Sequence, residues 1–593
     1  MKPSPSQFPP PYCAEEFIST ITSPPEKRLP VGILIVGAGP SGLSAAIRLS
    51  QLLETAPEIK QSLGEFPIVV LEKGKYPGAH LLSGAVINSI VFKKLFPNLP
   101  EKDWPFFGRV KKEGVYFLTK KGTFPLPTPP TMRNHGNYVA SLSRFGAWLA
   151  GEAEKLGVTI LSETVASKLL VENGVVQGVR TGDKGRDRDG KPLSNFEEGV
   201  DVVAQISLLA EGTQGHLTQT AIEHFQLQGA NPQIYALGVK EIWEVARPLD
   251  RVIHTMGWPL RLSKKYGEFG GSFAYPVGKD RVSLGLVVGL DYHDASLSVH
   301  DLLQEMKLHP LFRKILDGGR RLDKGWGAKT IPEGGFYALP KKLYAPGALL
   351  LGDAAGFVNV PALKGIHYAM QSGILAAENI FAALKGKKDL KSAETLAGYD
   401  VAVRTSFIGK DLRRVRNIRQ AFQWGFFPGA ALAGLMTATF GLFPGWRFGG
   451  RADHQQPLFL GDKKYPKPDG KQTFDKLLSA YASGNRSRDN QPDHLRVTTE
   501  VPEVVGEAWI HMCPAEVYEW KTDASDKKII QTNPTNCIHC GAITAKGGRL
   551  TPPGRWQRPG IYGDIKKCPI FKPLSWPSLK ESRSFCLSRR QGT

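Results

Sequence analysis

Cysteine is scarce in this chain, six residues in 593, and that excludes a fold stapled by disulfides. Acidic residues are outnumbered too, 55 Asp and Glu against 76 Lys and Arg, for a formal charge of +21. So basic a balance favours a polyanion or an anionic surface. It is uneven, however, because residues 541–593 hold 11 Lys and Arg against 2 Asp and Glu. This tail has no period of 2 or 3.6 and reads as poorly ordered, so no nucleic-acid partner is expected. Residues 1–30 lack both an apolar stretch and an Arg-rich amphipathic pattern. Neither a secretory signal nor a transit peptide is expected there, residues 1–30 are expected to be a flexible N-terminus with the fold proper starting at Val31, and a cytosol-facing place in a prokaryote-like cell is the simplest reading. Apolar residues are not lacking. At 41% hydrophobic and 22% charged, the chain is neither disordered nor a polytopic membrane protein. Its length allows three to five domains of roughly 100–200 residues each.

The first motif is Val31-Gly-Ile-Leu-Ile-Val, a buried parallel strand, followed by Gly37, Ala38, Gly39 and Gly42 at G-x-G-x-x-G spacing and then a helical pattern. Gly37 permits the tight turn, Gly39 lets backbone reach a pyrophosphate, and Gly42 lets helix and strand pack closely. The helix N-terminus offers free N–H groups and a positive dipole to a diphosphate. A second apolar strand ends at Glu72, placed to bond ribose hydroxyls, although it lies 30 residues beyond Gly42 rather than about 20. Two later segments favour FAD over NAD. Residues 206–215 make a second strand-to-turn approach, and Ala348-Leu-Leu-Leu leads to Gly352 and Asp353. The Asp353 carboxylate suits a ribityl hydroxyl, or a helix N-cap. A helix starting near Gly365 would aim its positive end at the pyrimidine ring of a reduced flavin. His367, in its first turn, reads as structural rather than as a proton donor. The set resembles the discontinuous FAD-binding fold of the glutathione-reductase and hydroxylase type.

From Gln420 to Trp446, 27 residues pass without a charge, preceded by Arg413, Arg414, Arg416 and Arg419 and followed by Arg447 and Arg451. Pro428, Pro444 and five glycines suit a segment that dips into one leaflet, with Arg on anionic headgroups. A buried core hairpin is the bland alternative.

Further segments carry a family resemblance. They are Gly78-Ala-His-Leu-Leu-Ser-Gly-Ala, Asn134-His-Gly-Asn-Tyr, His254-Thr-Met-Gly-Trp-Pro-Leu, Gly270-Gly-Ser-Phe, Asn359-Val-Pro-Ala-Leu-Lys-Gly, Tyr465-Pro-Lys-Pro-Asp-Gly and Cys513-Pro-Ala-Glu-Val-Tyr-Glu-Trp. With the dinucleotide motif, in this order from residue 31 to residue 540, they resemble the electron-transfer flavoprotein–ubiquinone oxidoreductases. The resemblance implies an enzyme that takes electrons from electron-transfer flavoprotein and passes them through FAD and a [4Fe-4S] cluster to ubiquinone. It implies peripheral attachment to a membrane, on the cytoplasmic face of a prokaryotic inner membrane or at the mitochondrial inner membrane of a eukaryote. It also implies that Gly270 and Gly271 contact the quinone through their backbone, and it points to residues 80–96 as a second membrane contact. The expected fold is α/β plus α+β. The FAD domain spans 31–98, 151–229 and 325–405, and a quinone-binding domain spans 99–150 and 230–324. A membrane segment at 406–452, a ferredoxin-like iron–sulfur domain at 453–540 and an atypical basic tail at 541–593 complete it. A lipid-directed reductase or monooxygenase of the geranylgeranyl-reductase type is the alternative, and a cluster-deficient remnant that binds quinone without turnover is another.

Cys513, Cys537 and Cys540 supply a C-x-x-C and a distant thiolate, soft ligands that suit iron–sulfur or zinc. In the family the pattern continues with a further cysteine three residues after the C-x-x-C, then Asp-Ile-Lys. Here that position is Ile543. A shift of reading frame just after Cys540 accounts best for the departure. Cys568 folding back as fourth ligand, or loss of the cluster or its replacement by zinc, are the other readings.

Overall fold

The computed structural model describes residues 2–10, 12–82, 84–485 and 489–552. Cys568 and Cys586 lie outside them.

The strand Leu29–Val36 is fully buried from Val31 onward. It pairs in parallel with Ile68–Leu71 on one side and Asp201–Leu209 on the other. Thr159–Leu161 and Ala348–Leu350 extend the parallel layer outward. Strands buried on both faces read as continuous apolar runs, which is why this sheet is visible in the sequence. The helices Pro40–Leu53 and Ile366–Lys385 cross against each other, with Gly373 at the crossing, where a Cβ would collide with the Ser41 carbonyl. Leu142–Lys155 packs on Pro40–Leu53 as well.

A second, seven-stranded sheet runs in the order 320–332, 235–244, 281–289, 270–276, 252–257, 113–118 and 123–126. Three expected boundaries are misplaced: the fold does not start at Val31, because that position falls inside the strand Leu29–Val36 and Ile18–Ser19 already pairs in parallel with Ala166–Glu172. Residue 150 falls inside the helix Leu142–Lys155, which belongs with the first sheet. Residue 325 falls inside the strand Arg320–Pro332, which lies wholly in the second. Periodicity reveals an element but not the sheet it joins.

The helix Val299–Lys307 closes one face of this second sheet through an ion pair. Lys307 Nζ lies 2.8 Å from Glu241 Oε2, both side chains wholly buried. Arg321 at 3.5 Å, the Trp243 indole N–H at 2.7 Å and the Gln304 amide at 3.3 Å also bond Glu241. Removing one partner of a buried pair strands the other charge. Lys307→Ala is expected to cost about 3 kcal/mol in thermal or urea unfolding. An unchanged midpoint would show that Arg321 alone neutralises Glu241.

The C-terminal part shares one continuous core with the second sheet, through Trp326 and Leu302 on one side and Val505, Trp509 and Ile538 on the other. It comprises the helix Glu503–Met512, the hairpin of Tyr518–Thr522 with Lys528–Thr532, and a pairing of Leu495–Arg496 with Arg549–Leu550. The expectation of an unpatterned tail from residue 541 is corrected through residue 552. Ala542, Ile543 and Ala545 are buried. The Lys546 carbonyl accepts the Trp509 indole N–H at 2.8 Å, and its Nζ reaches the Tyr292 carbonyl at 3.3 Å. The segment is too short, four helical residues and two of strand, for periodicity to expose it.

Candidate functional site

The glycine turn sits where the strand Leu29–Val36 meets the helix Pro40–Leu53. Gly37 has φ +108°, a conformation that favours glycine, and a Cβ there would lie 2.5 Å from the Ala210 oxygen. At Gly42 a Cβ would collide with the Gly37 carbonyl. Gly39 differs: no atom lies within 4 Å of a Cβ built there. Its neighbours need room beside Gly37 and Gly42, whereas beside Gly39 there is open space at a helix N-terminus. That is the cradle a diphosphate requires.

Glu72 lies at the end of its strand and is almost fully buried. One carboxylate oxygen accepts the Ala38 N–H at 3.1 Å and the other the Gly74 N–H at 2.6 Å. Burial pulls its pKa up, but the His80 ring 3.6 Å away and the Gly74 N–H together hold it below the ordinary value. Gly352 sits with φ +60°, its N–H donated to Ser372 Oγ at 3.0 Å. Asp353 follows. Burial pushes its carboxyl up to about 6, against the opposing pull of the Thr213 hydroxyl and the Lys329 charge. Thr213 belongs to the second strand-to-turn approach, so the two late segments meet. Gly365 is the N-cap of the helix Ile366–Lys385, and a Cβ on it would lie 3.6 Å from Asp353 Oδ1. His367 is buried, pushed down to about 4 by burial and by Lys364. It is uncharged at neutral pH.

The three cysteines converge on one pocket, lined also by Val517, Tyr518, Ala542 and Ile543. Backbone N–H groups of Val517 and His539 donate to the Cys513 and Cys537 sulfurs, each at 3.4 Å. Such N–H···S contacts are among the means by which proteins tune iron–sulfur centres. Burial, then the Cys540 charge, pushes the Cys513 thiol up to about 11, and Cys537 shifts the same way for the same reasons. Metal binding at such thiols releases their protons.

The C-x-x-C loop is fastened to the second sheet. The Thr330 N–H and hydroxyl both donate to the Cys540 carbonyl, at 2.8 and 3.0 Å. Lys329 Nζ donates to the His539 carbonyl at 3.1 Å. A Cβ at Gly541 would lie 2.5 Å from Gln214 Oε1, so the loop also abuts the turn after Asp201–Leu209. Sequence reasoning missed Lys329, Thr330 and Gln214. Separations of 210 residues and more leave no signal in spacing. It also missed that Lys364 Nζ bonds Asn134 Oδ1 at 2.7 Å, and His254 Nε2 the Tyr275 hydroxyl at 2.8 Å.

Gly270 and Gly271 begin the strand Gly270–Pro276. Side chains there would collide with the Val287 and Thr255 carbonyls of the flanking strands. The sheet itself therefore calls for glycine at both positions.

Among the described residues no helix is long and apolar enough to cross a membrane. The charge-free run instead forms a 13-residue helix, Phe426–Ala438, and a following turn. Phe427 is 66% exposed, Phe440 78%, Leu442 80% and Trp446 64%. Arg413, Arg414, Arg447 and Arg451 are exposed around them. Arg419 is not available to headgroups, contrary to expectation: it is buried, 2.7 Å from Glu333 and 2.8 Å from Asp291. Residues 80–96 also differ from expectation, since Val91, Phe92 and Leu95 enter the core and Ile90 is the one exposed apolar residue described there.

Two family models match. The "ETF-QO, ubiquinone-binding" model covers residues 235–331, and "Electron transfer flavoprotein-ubiquinone oxidoreductase, 4Fe-4S" covers 470–558. The mitochondrial electron transfer flavoprotein-ubiquinone oxidoreductase of Dictyostelium discoideum is 39% identical over 555 residues, 89% of each chain. The chain belongs to this family. The human relative is 37% identical over 540 residues, covering 87% of this chain and 85% of its own. The second match runs 18 residues past Cys540, so the resemblance does not end there as expected. A geranylgeranyl bacteriochlorophyll reductase-like protein of Thermoplasma acidophilum aligns at 19% identity and a TM-score of 0.53, over 73% of this chain and 93% of its own. That likeness concerns the fold, a mixed α/β architecture, and does not favour the lipid-reductase alternative.

Proposed function

We propose that this chain takes electrons from reduced electron-transfer flavoprotein, passes them through FAD and an iron–sulfur cluster, and delivers them to ubiquinone at a membrane surface. One observation carries it. Lys329 donates to the His539 carbonyl beside the cysteine pocket, and it is also the cation that acts on Asp353 beside the dinucleotide turn. This supports neighbouring flavin and cluster sites within the one compact unit that holds both.

FAD supplies the exchange between two-electron and one-electron transfer, and a cluster supplies a one-electron relay. Everything else falls to the protein. N–H groups at Gly39 and the following helix turn would hold the diphosphate, with Glu72 near the ribose and Gly352, Asp353 and Gly365 along the ribityl chain and ring. Cys513, Cys537 and Cys540 would hold the cluster, flanked by Val517, Tyr518 and Ile543. Gly270 and Gly271 lie within the ubiquinone-binding match, which supports their backbone as the quinone contact. The exposed apolar and Arg residues of 413–451 support peripheral attachment to an anionic membrane. The face concerned, in a prokaryotic inner membrane or a mitochondrial one, follows the source of the chain.

Purified protein in lipid vesicles is expected to oxidise reduced electron-transfer flavoprotein in step with reduction of a short-chain ubiquinone. Reduction of a polyprenyl double bond with NADPH, and no response to the flavoprotein, would establish the lipid-reductase alternative instead.

A further inference from the structure

We propose that one corner of the cluster in this chain, the corner capped by Ile543, holds a labile iron. The inference rests on the iron–sulfur reading above. A four-iron cube is ordinarily held by four thiolates, and the pocket presents three. Ile543 lines the same pocket, three residues beyond Cys540, and is 4% exposed. Its position is set by the helix Ala542–Ala545, whose buried face cannot turn away without exposing Ala542 and Ala545. The rest of the lining is mostly hydrocarbon, Leu495, Val517 and Leu550 among it, with only the Met512 thioether and the Tyr518 hydroxyl as weak donors.

Other described donors do not fill the gap. Cys13 is exposed, with its thiol on Glu15 at 2.8 Å. His494 and His539 bring ligand atoms within 4.8 Å of the Cys537 sulfur. Neither is among the residues that line the pocket.

An iron at the Ile543 corner is therefore completed by water, hydroxide or a small exogenous thiol. Oxidation by dioxygen or ferricyanide then removes it. The [4Fe-4S]2+ cube gives one electron to the oxidant and releases Fe2+, and the remaining [3Fe-4S]+ core stays on Cys513, Cys537 and Cys540. Fe2+ with a reductant reverses the step.

The test uses the full chain, purified without oxygen, with iron per FAD and electron paramagnetic resonance read before and after ferricyanide. The expected result is a fall from about four irons to about three. A three-iron signal should appear in the oxidised protein, and added Fe2+ with dithionite should restore the fourth iron. Ile543→Cys should keep all its iron through the same treatment, with unchanged FAD content as the check on folding. Oxidation-resistant four-iron protein without substitution would overturn the proposal. If Cys568→Ser then made that iron labile, Cys568 would be the missing ligand. Iron loss from Ile543→Cys equal to that of the unsubstituted chain would also overturn it. Protein with full FAD and no iron in any state would sink the cluster reading itself, a distinct outcome.

Discussion

Gly39→Val is expected to give a folded chain that binds no flavin. Its backbone, φ −87° and ψ 179°, is extended and accepts a β-branched residue. Nothing lies within 4 Å of the added Cβ, so the flavin-free fold pays almost nothing. The cost falls on the ligand. The two methyl groups occupy the space beside the helix N-terminus, and the diphosphate loses its approach to the N–H groups there. A loss of about 3 kcal/mol, roughly a hundredfold in affinity, is the least expected from blocking such a contact. Gly42→Val makes the informative contrast. Its Cβ meets the Gly37 carbonyl and the Ile35 side chain, so it should lower stability as well as flavin content. Visible absorbance gives the flavin content and thermal unfolding gives the stability. A yellow Gly39→Val protein with full flavin content would mean that the diphosphate does not pass this glycine.

That contrast between Gly39 and Gly42 was invisible in the sequence, where both glycines fit one spacing. The parallel sheet was legible, because strands covered by helices on both faces are continuous apolar runs such as Ile33–Val36 and Ile68–Leu71. The cysteines were legible because thiolates are rare in this chain. What the sequence could not express was contact across long separations. Thr330 reaches Cys540, Lys329 reaches His539, and Lys364 reaches Asn134, and none of these pairs shares a pattern or a local motif. Short elements failed for the opposite reason. The four-residue helix Ala542–Ala545 completes no amphipathic turn that periodicity could detect, so a buried part of the core read as tail. Arg419 shows a third limit. By position it belongs to a basic rim, yet Glu333 and Asp291 draw it inward.

Replacing Phe427, Phe440, Leu442 and Trp446 together by Ser is expected to release the protein from anionic vesicles. These four side chains are the most exposed large apolar groups of the charge-free run. Inserting each into the acyl boundary is worth about 1 kcal/mol at its present exposure, so the set amounts to roughly a thousandfold in partitioning. Folding should be spared, because the small core beneath, formed by Ile418, Ala421, Met436 and Phe448, is untouched. The rim of Arg413, Arg414, Arg447 and Arg451 adds an electrostatic part of about 1 kcal/mol per residue near anionic lipid. That part is screened by salt, whereas the apolar part is not. Vesicle flotation at low and high salt therefore separates the two. The unsubstituted chain should stay bound at high salt, and the fourfold variant should bind weakly at low salt and not at all at high salt. A variant that floats with vesicles as well as the parent in high salt would place the attachment elsewhere on the chain and refute a dipping segment at 426–446.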